Sequence, residues 1–247
     1  MGAAQSTADD DVDRLLHHLE HGKIEVVGQF VWGSNYTFLA KVIDEGREIQ
    51  GVYKPSQGEQ PLWDFPEGTL AAREAAAYVA CRALGWDLVP PTVLRDEGPT
   101  GPGSLQLYVD ADPERHFFTF TPQERQRLRP VAAFDLLVNN ADRKGGHVLL
   151  SPDEHVWLID HGLCFNVEDK LRTVIWDFAG EPIPEGVLAD IEAFRRRLQP
   201  SDPLWGTFES LLSLEETQAL AQRASRLSRT RRFPLPGPGR PYPWPLV

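Results

Sequence analysis

Cysteine is scarce in this chain: Cys81 and Cys164 are the only two among 247 residues. Two thiols cannot build a disulfide framework or a cysteine-rich zinc site, and they fit a reducing cytoplasm. No run of about 18 apolar residues occurs, which excludes a membrane-spanning helix. Positive charge is in deficit: 25 Lys and Arg stand against 36 Asp and Glu, a net charge of −11. A nonspecific nucleic-acid binder carries the opposite sign. The first residues show neither the basic nor the apolar segment of a secretory signal. Gly2 and Ser6 match a myristoylation pattern, but the acidic run behind them opposes an anionic membrane surface. No internal repeat is found. What remains is ordinary globular composition, 41% apolar and 25% charged, in a chain long enough for one large domain or two small lobes.

The order of elements predicts an α+β protein. A short helix capped by residues 9–11 places Val12, Leu15, Leu16 and Leu19 on one face. Three strands follow as a meander, at 24–31, 36–43 and 49–54. They are separated by the turn Gly33-Ser34-Asn35 and by a second turn containing Gly46. A helix over 69–84 stops at Gly85, and strands are expected at 92–94 and 104–109. Beyond 110 the pattern becomes helical. Thr121-Pro122-Gln123-Glu124 is a capping box, Pro130 ends or kinks the first short helix, and a second runs over 130–138. A small hairpin is expected from 148–150 and 156–160. Pro184 opens another helix, Ser213 to Glu216 cap the last, and a proline-rich tail closes the chain. The expected division is 1–109, 110–232 and the tail 233–247.

Chemistry concentrates in residues 139–160. Asn140, Asp142, Arg143, Lys144 and His147 crowd one polar loop, and Asp160 ends the next strand before His161-Gly162. A loop carboxylate can orient or deprotonate an attacking hydroxyl, and a strand-end carboxylate can hold a divalent cation against a polyphosphate. Lys54 ends an apolar strand and needs a partner, which Glu74 on the following helix can supply. Such a pair holds the α- and β-phosphates of ATP in kinase-type enzymes. The Gly33-Ser34-Asn35 turn can cover phosphates with backbone N–H groups. Each piece also has a plainer meaning: a snorkelling lysine, a solvated glutamate, turn-forming Asn and Asp, structural histidines. Their order along the chain favours one nucleotide site.

These residues resemble the protein-kinase-like superfamily, in particular its phosphatidylinositol 3- and 4-kinase-like branch. Asn140-Ala141-Asp142-Arg143 is similar to the N-x-D-R-H-x-x-N catalytic loop of that branch and of HipA-type kinases. Ile159-Asp160-His161-Gly162 resembles its metal motif, and Val52-Tyr53-Lys54-Pro55 its nucleotide-lysine strand. Over residues 20–200 the chain is similar to a compact actinobacterial family of phosphatidylinositol-kinase-like proteins.

The resemblance implies a two-lobed kinase-like fold with a β-rich N-lobe, a mainly helical C-lobe and ATP between them. It implies Lys54 on phosphate, Glu74 orienting it, Asp142 as catalytic aspartate and Asp160 on Mg²⁺. It also implies a hinge at 106–110, including Gln106, Tyr108 and Val109, whose backbone meets adenine. Arg143 would neutralise a phosphate or pair with a carboxylate. Two positions depart from the pattern: Lys144 replaces its histidine and His147 its metal-binding asparagine. The second metal role then falls to Asn140 or to His147, whose nitrogen suits Mn²⁺ better than Mg²⁺.

The expected activity is an ATP- and Mg²⁺- or Mn²⁺-dependent phosphotransferase acting on a hydroxyl of a protein, an inositol-like ring or another small polyol. Alternatives are a nucleotide-binding pseudokinase and an AMP transferase. The loop 163–176 occupies the headgroup position of lipid kinases, yet its Lys170 and Arg172 are matched by Glu168 and Asp169. Trp63, Trp157 and Trp176 are expected in packing roles. Arg223, Arg226, Arg229, Arg231 and Arg232 form a basic stripe, either a solvated helix face or a contact for an acidic partner or membrane surface. The expected setting is the cytoplasm, with no nucleic acid and no integral membrane segment.

Overall fold

The structure is a computed structural model that describes residues 2–30 and 36–247, with side chains from residue 10 onward. The turn holding Gly33, Ser34 and Asn35 lies outside the described residues. The chain divides into two compact units. One comprises the residues up to Tyr78 with Pro90–Val109, the other Val79–Val89 with Asp110–Val247.

The first unit is a twisted antiparallel sheet with helix α1 (Gly2–His21). Strands β1 (Lys23–Gln29), β2 (Phe38–Asp44) and β3 (Arg47–Pro55) form the expected meander, and β4 (Thr92–Arg95) and β5 (Gly103–Leu107) complete it in the order β1-β2-β3-β5-β4. Alternation along β2 and β3 buries Ala40, Val42 and Tyr53 on one face. They meet Leu19 of α1, Val93 and Leu105 in one core cluster. Helix α1 is longer than its apolar pattern, because Ala3, Ala4 and Gln5 are good helix formers without an apolar stripe. Its attachment is specific: the Arg95 guanidinium donates to the Leu19 and Gly22 carbonyls at 2.7 and 3.0 Å.

Helix α2 (Leu70–Ala83) forms where a helix stopping at Gly85 is expected; it begins in the first unit and ends in the second. The second unit holds α3 (Pro122–Gln126), α4 (Arg129–Val138), the hairpin β6 (Val148–Leu150) and β7 (Val156–Leu158), and then α5 (Glu185–Arg197), α6 (Pro203–Glu209) and α7 (Leu214–Thr230). Pro130 lies in the first turn of α4, where its missing N–H costs nothing. Both predicted capping boxes are formed, at Thr121 and at Ser213. The apolar faces of α4, α5 and α7 bury Phe134, Leu137, Ile191, Phe194, Leu220 and Ala224. Among the described residues no helix is long and apolar enough to cross a membrane.

Candidate active site

The polar loop after α4 is built from its own buried amides. Asn139 ends the helix in the left-handed conformation (φ 55°), which asparagine tolerates better than most residues. Its side chain is spent on backbone: Nδ2 donates to the Asn166 and Glu168 carbonyls, and Oδ1 accepts from the Lys170 amide at 2.9 Å. Asn140 is also buried. Its Oδ1 accepts from the Asp142 N–H at 2.9 Å, and its Nδ2 donates to Asp135 at 3.3 Å. The oxygen considered as a metal ligand thus also fixes the backbone of Asp142.

Arg143 is likewise engaged inside the protein. It is fully buried and does not reach out for phosphate. Nε donates to both Asp135 oxygens, at 3.0 and 3.2 Å. Nη1 donates to the Ile159 carbonyl at 2.9 Å, and Nη2 lies 2.8 Å from His161 Nε2. Because a guanidinium only donates, His161 Nε2 is the acceptor of this bond. Thr173 Oγ1 adds a bond to Asp135 at 3.1 Å. Burial pushes the Asp135 carboxyl up, while the guanidinium and its other donors oppose this. Of the two roles foreseen for Arg143, pairing with a carboxylate is the one observed. Its partner Asp135, the one acid in the apolar run of α4, was not foreseen, although an acid in such a run is the signal of a buried pair.

This pair joins the two functional loops. The His147 carbonyl accepts from the Ile159 amide at 3.1 Å, so the segment carrying Asp142 and the segment carrying Asp160 are tied beside the Arg143 clamp. Asp160 follows in the left-handed region (φ 61°) with its side chain half exposed. Its Oδ2 lies 3.2 Å from His147 Nε2. Asp142 is partly buried and paired with Lys144 at 3.0 Å. Burial raises its pKa, the Lys144 ammonium opposes this, and the Asp160 charge adds to the rise.

The donor set suits a divalent ion that arrives with a polyphosphate. Among the described residues no group of three His, Cys, Asp or Glu side chains is assembled as a closed metal site. Asp160 and His147 offer one carboxylate and one imidazole, and the remaining positions would fall to phosphate and water.

In the first unit, Lys54 and Glu74 form the expected ion pair, with Glu74 buried. Gly103 is required where β5 passes this lysine, because a Cβ there would strike the Lys54 backbone. The residues expected at the hinge lie at and beyond the end of β5. Gln106 is buried within β5, between β3 and β4, and its amide donates to Thr92 Oγ1 at 2.8 Å. The Tyr108 N–H is bonded to the Gln50 carbonyl at 3.0 Å and is not free for adenine. Val109 lies just beyond the strand.

Other expectations also change. Trp63 is 88% exposed and packs no core. The basic stripe is exposed at Arg226, Arg229, Arg231 and Arg232 and buried only at Arg223. Arg223 is buried and donates to the Leu137 and Asn166 carbonyls, and its burial depresses its pKa to about 10. Arg226 pairs with Asp169, and Arg231 with Glu185.

No protein-family model matches the chain. Protein Rv2133c of Mycobacterium tuberculosis is 40% identical, over 99% of this chain and 98% of that protein. The chain belongs to the Rv2133c family. Within this family member, 61% of the chain is 32% identical to phosphatidylinositol 4-kinase gamma 4 of rice (Oryza sativa subsp. japonica), covering 31% of that enzyme's length. Golgi casein kinase, solved with Mn and ADP bound, superposes with a TM-score of 0.60 at 16% identity, over 90% of this chain and 75% of that one. The Helicobacter pylori proinflammatory kinase CtkA gives 0.52 at 11% identity, over 87% and 94%. The Rv2133c-family fold is therefore protein-kinase-like.

Proposed function

We propose that the protein is an ATP- and divalent-metal-dependent phosphotransferase whose acceptor is an alcohol. The observation that carries this is the partly buried, charge-tuned Asp142 on a loop bound through Arg143 to the segment bearing Asp160. The Lys54–Glu74 pair supports it from the first unit, as does the kinase-like fold.

In this scheme Lys54 binds nucleotide phosphate, and Glu74 holds its ammonium in place. Asp160 and His147 would hold Mg²⁺ or Mn²⁺, with the imidazole favouring Mn²⁺. The ion supplies charge neutralisation of the phosphates. The Asp142 carboxylate accepts the proton of the acceptor hydroxyl. A bond forms between that oxygen and the γ-phosphorus, the bond from phosphorus to the β–γ bridging oxygen breaks, and ADP departs with that electron pair. Lys144 favours the ionised form of Asp142 and adds positive charge beside the transferring group. Arg143, Asn140 and Asp135 position this loop and touch no substrate.

Asp142→Ala should lower phosphoryl transfer by about 10²–10⁴-fold, the usual range for a positioned base. Nucleotide affinity, measured by calorimetry with Mn²⁺, should hardly change. Transfer at the wild-type rate would remove Asp142 from this role. A nucleotide-binding regulator without catalysis is the second reading, favoured because Asn140 Oδ1 is bonded to the Asp142 amide and His147 is engaged with Asp160. ATP labelled at the α- or the γ-position separates phosphate transfer, AMP transfer and binding alone.

A further inference from the structure

A recess of the second unit, about 680 Å³, has a charge opposite to that of the whole protein. That volume is in the range of small-molecule sites. The two acids in its wall are already matched: Asp169 bonds Arg226 at 2.7 and 3.1 Å, and Glu168 lies 3.2 Å from Lys170. Arg172, Arg232 and Arg240 also line it, and none of them has a carboxylate partner among the described ion pairs. Leu171, Trp176 and Phe233 supply an apolar side.

The loop 163–176 alone is charge-balanced. Arg226 of α7, Arg232 and, from the proline-rich tail, Arg240 make the recess cationic. Two bonds fix the tail there: the Pro241 carbonyl accepts from the Thr173 amide at 3.1 Å and from the Trp176 indole at 3.2 Å.

Arg172 connects the recess to the catalytic loop. Its amide donates to the Asn140 carbonyl at 2.9 Å, and its carbonyl accepts from the Arg143 amide at 3.0 Å. It is thereby bound on both sides of Asp142, and its charge acts on the Asp142 carboxyl.

We propose that this recess binds the phosphate acceptor, and that the acceptor is itself a phosphate monoester with an apolar portion and a free hydroxyl. The proposal rests on the phosphotransferase reading and deepens it. Several guanidiniums without carboxylates match a dianion, and guanidinium geometry suits phosphate oxygens. The ester would be held at Arg172 and Arg240 and its apolar part against Leu171, Trp176 and Phe233. Its hydroxyl would be presented to Asp142.

The test uses the full chain and phenyl phosphate as probe, titrated calorimetrically without nucleotide. Phenyl phosphate should bind saturably and be displaced by inorganic phosphate, and phenol should not bind. Arg172→Gln and Arg240→Gln should each weaken binding about tenfold or more, the usual cost of a charge-assisted hydrogen bond. Lys54→Met should leave it unchanged, which keeps the nucleotide-phosphate site from being mistaken for this one. ATP–Mn²⁺ affinity should be the same in wild type and Arg240→Gln.

Absence of saturable binding, or equal binding by both arginine variants, overturns the proposal even if ATP–Mn²⁺ binds and is turned over. Arginine-dependent phenyl phosphate binding in a protein that binds no nucleotide overturns the acceptor role together with the phosphotransferase reading.

Discussion

Asp142 and Lys144 make a small electrostatic balance that a pH profile can resolve. Asp142 must be ionised to accept a proton, and its pKa lies above the ordinary aspartate value because burial outweighs the lysine. The acid limb of activity should therefore lie above the usual carboxylate range. Lys144→Met removes a group that favours the ionised form, so the limb should move to higher pH, by about 1 unit for an adjacent charge. A limb that stays in place in the variant would mean another group controls it.

Asp135 and Arg143 call for a different experiment, because neither side chain meets solvent. Removing one partner strands the other's charge, so Asp135→Ala should cost about 3–5 kcal/mol in denaturant unfolding. Combining it with Arg143→Met should cost clearly less than the sum of the two single changes.

At the scale of elements, α7 is a clean subject. Its Ser213 accepts from the Glu216 amide at 3.2 Å, and the Glu216 side chain returns to the Ser213 amide at 3.0 Å. Ser213→Ala should destabilise the protein by about 1 kcal/mol in the same assay. Caps of this kind were legible in the sequence because every participant lies within four residues. The meander was legible for a similar reason, since alternation and short turns fix neighbouring strands. Helix α6 was not foreseen: its only local signal is Asp202 before Pro203, and Asp202 indeed caps Leu204 at 2.9 Å. The site was legible as a set of residue types, and less so as roles. Asn140 and Arg143 look like ligands when read along the chain. Burial converts them into supports, and burial depends on α4 and on the segment around Thr173, which no local pattern brings together.

For the whole molecule, net charge and local charge point in different directions. At −11 the protein should not retard duplex DNA in a mobility assay at physiological salt, because it has no counterion release to gain. A retarded band would show that a cationic patch dominates the surface. Arg223, Arg226, Arg231 and Arg232 of that patch are bonded to carbonyls or carboxylates, and Arg172, Arg232 and Arg240 gather around one recess. Trp176 stands in the wall of that recess with its indole N–H on a tail carbonyl. Its excited state is sensitive to the polarity and hydrogen bonding on that side, so filling the recess or lifting the tail would alter its emission. Six other tryptophans glow as well. A difference spectrum against Trp176→Phe isolates this one, giving the chain a built-in optical gauge of occupancy.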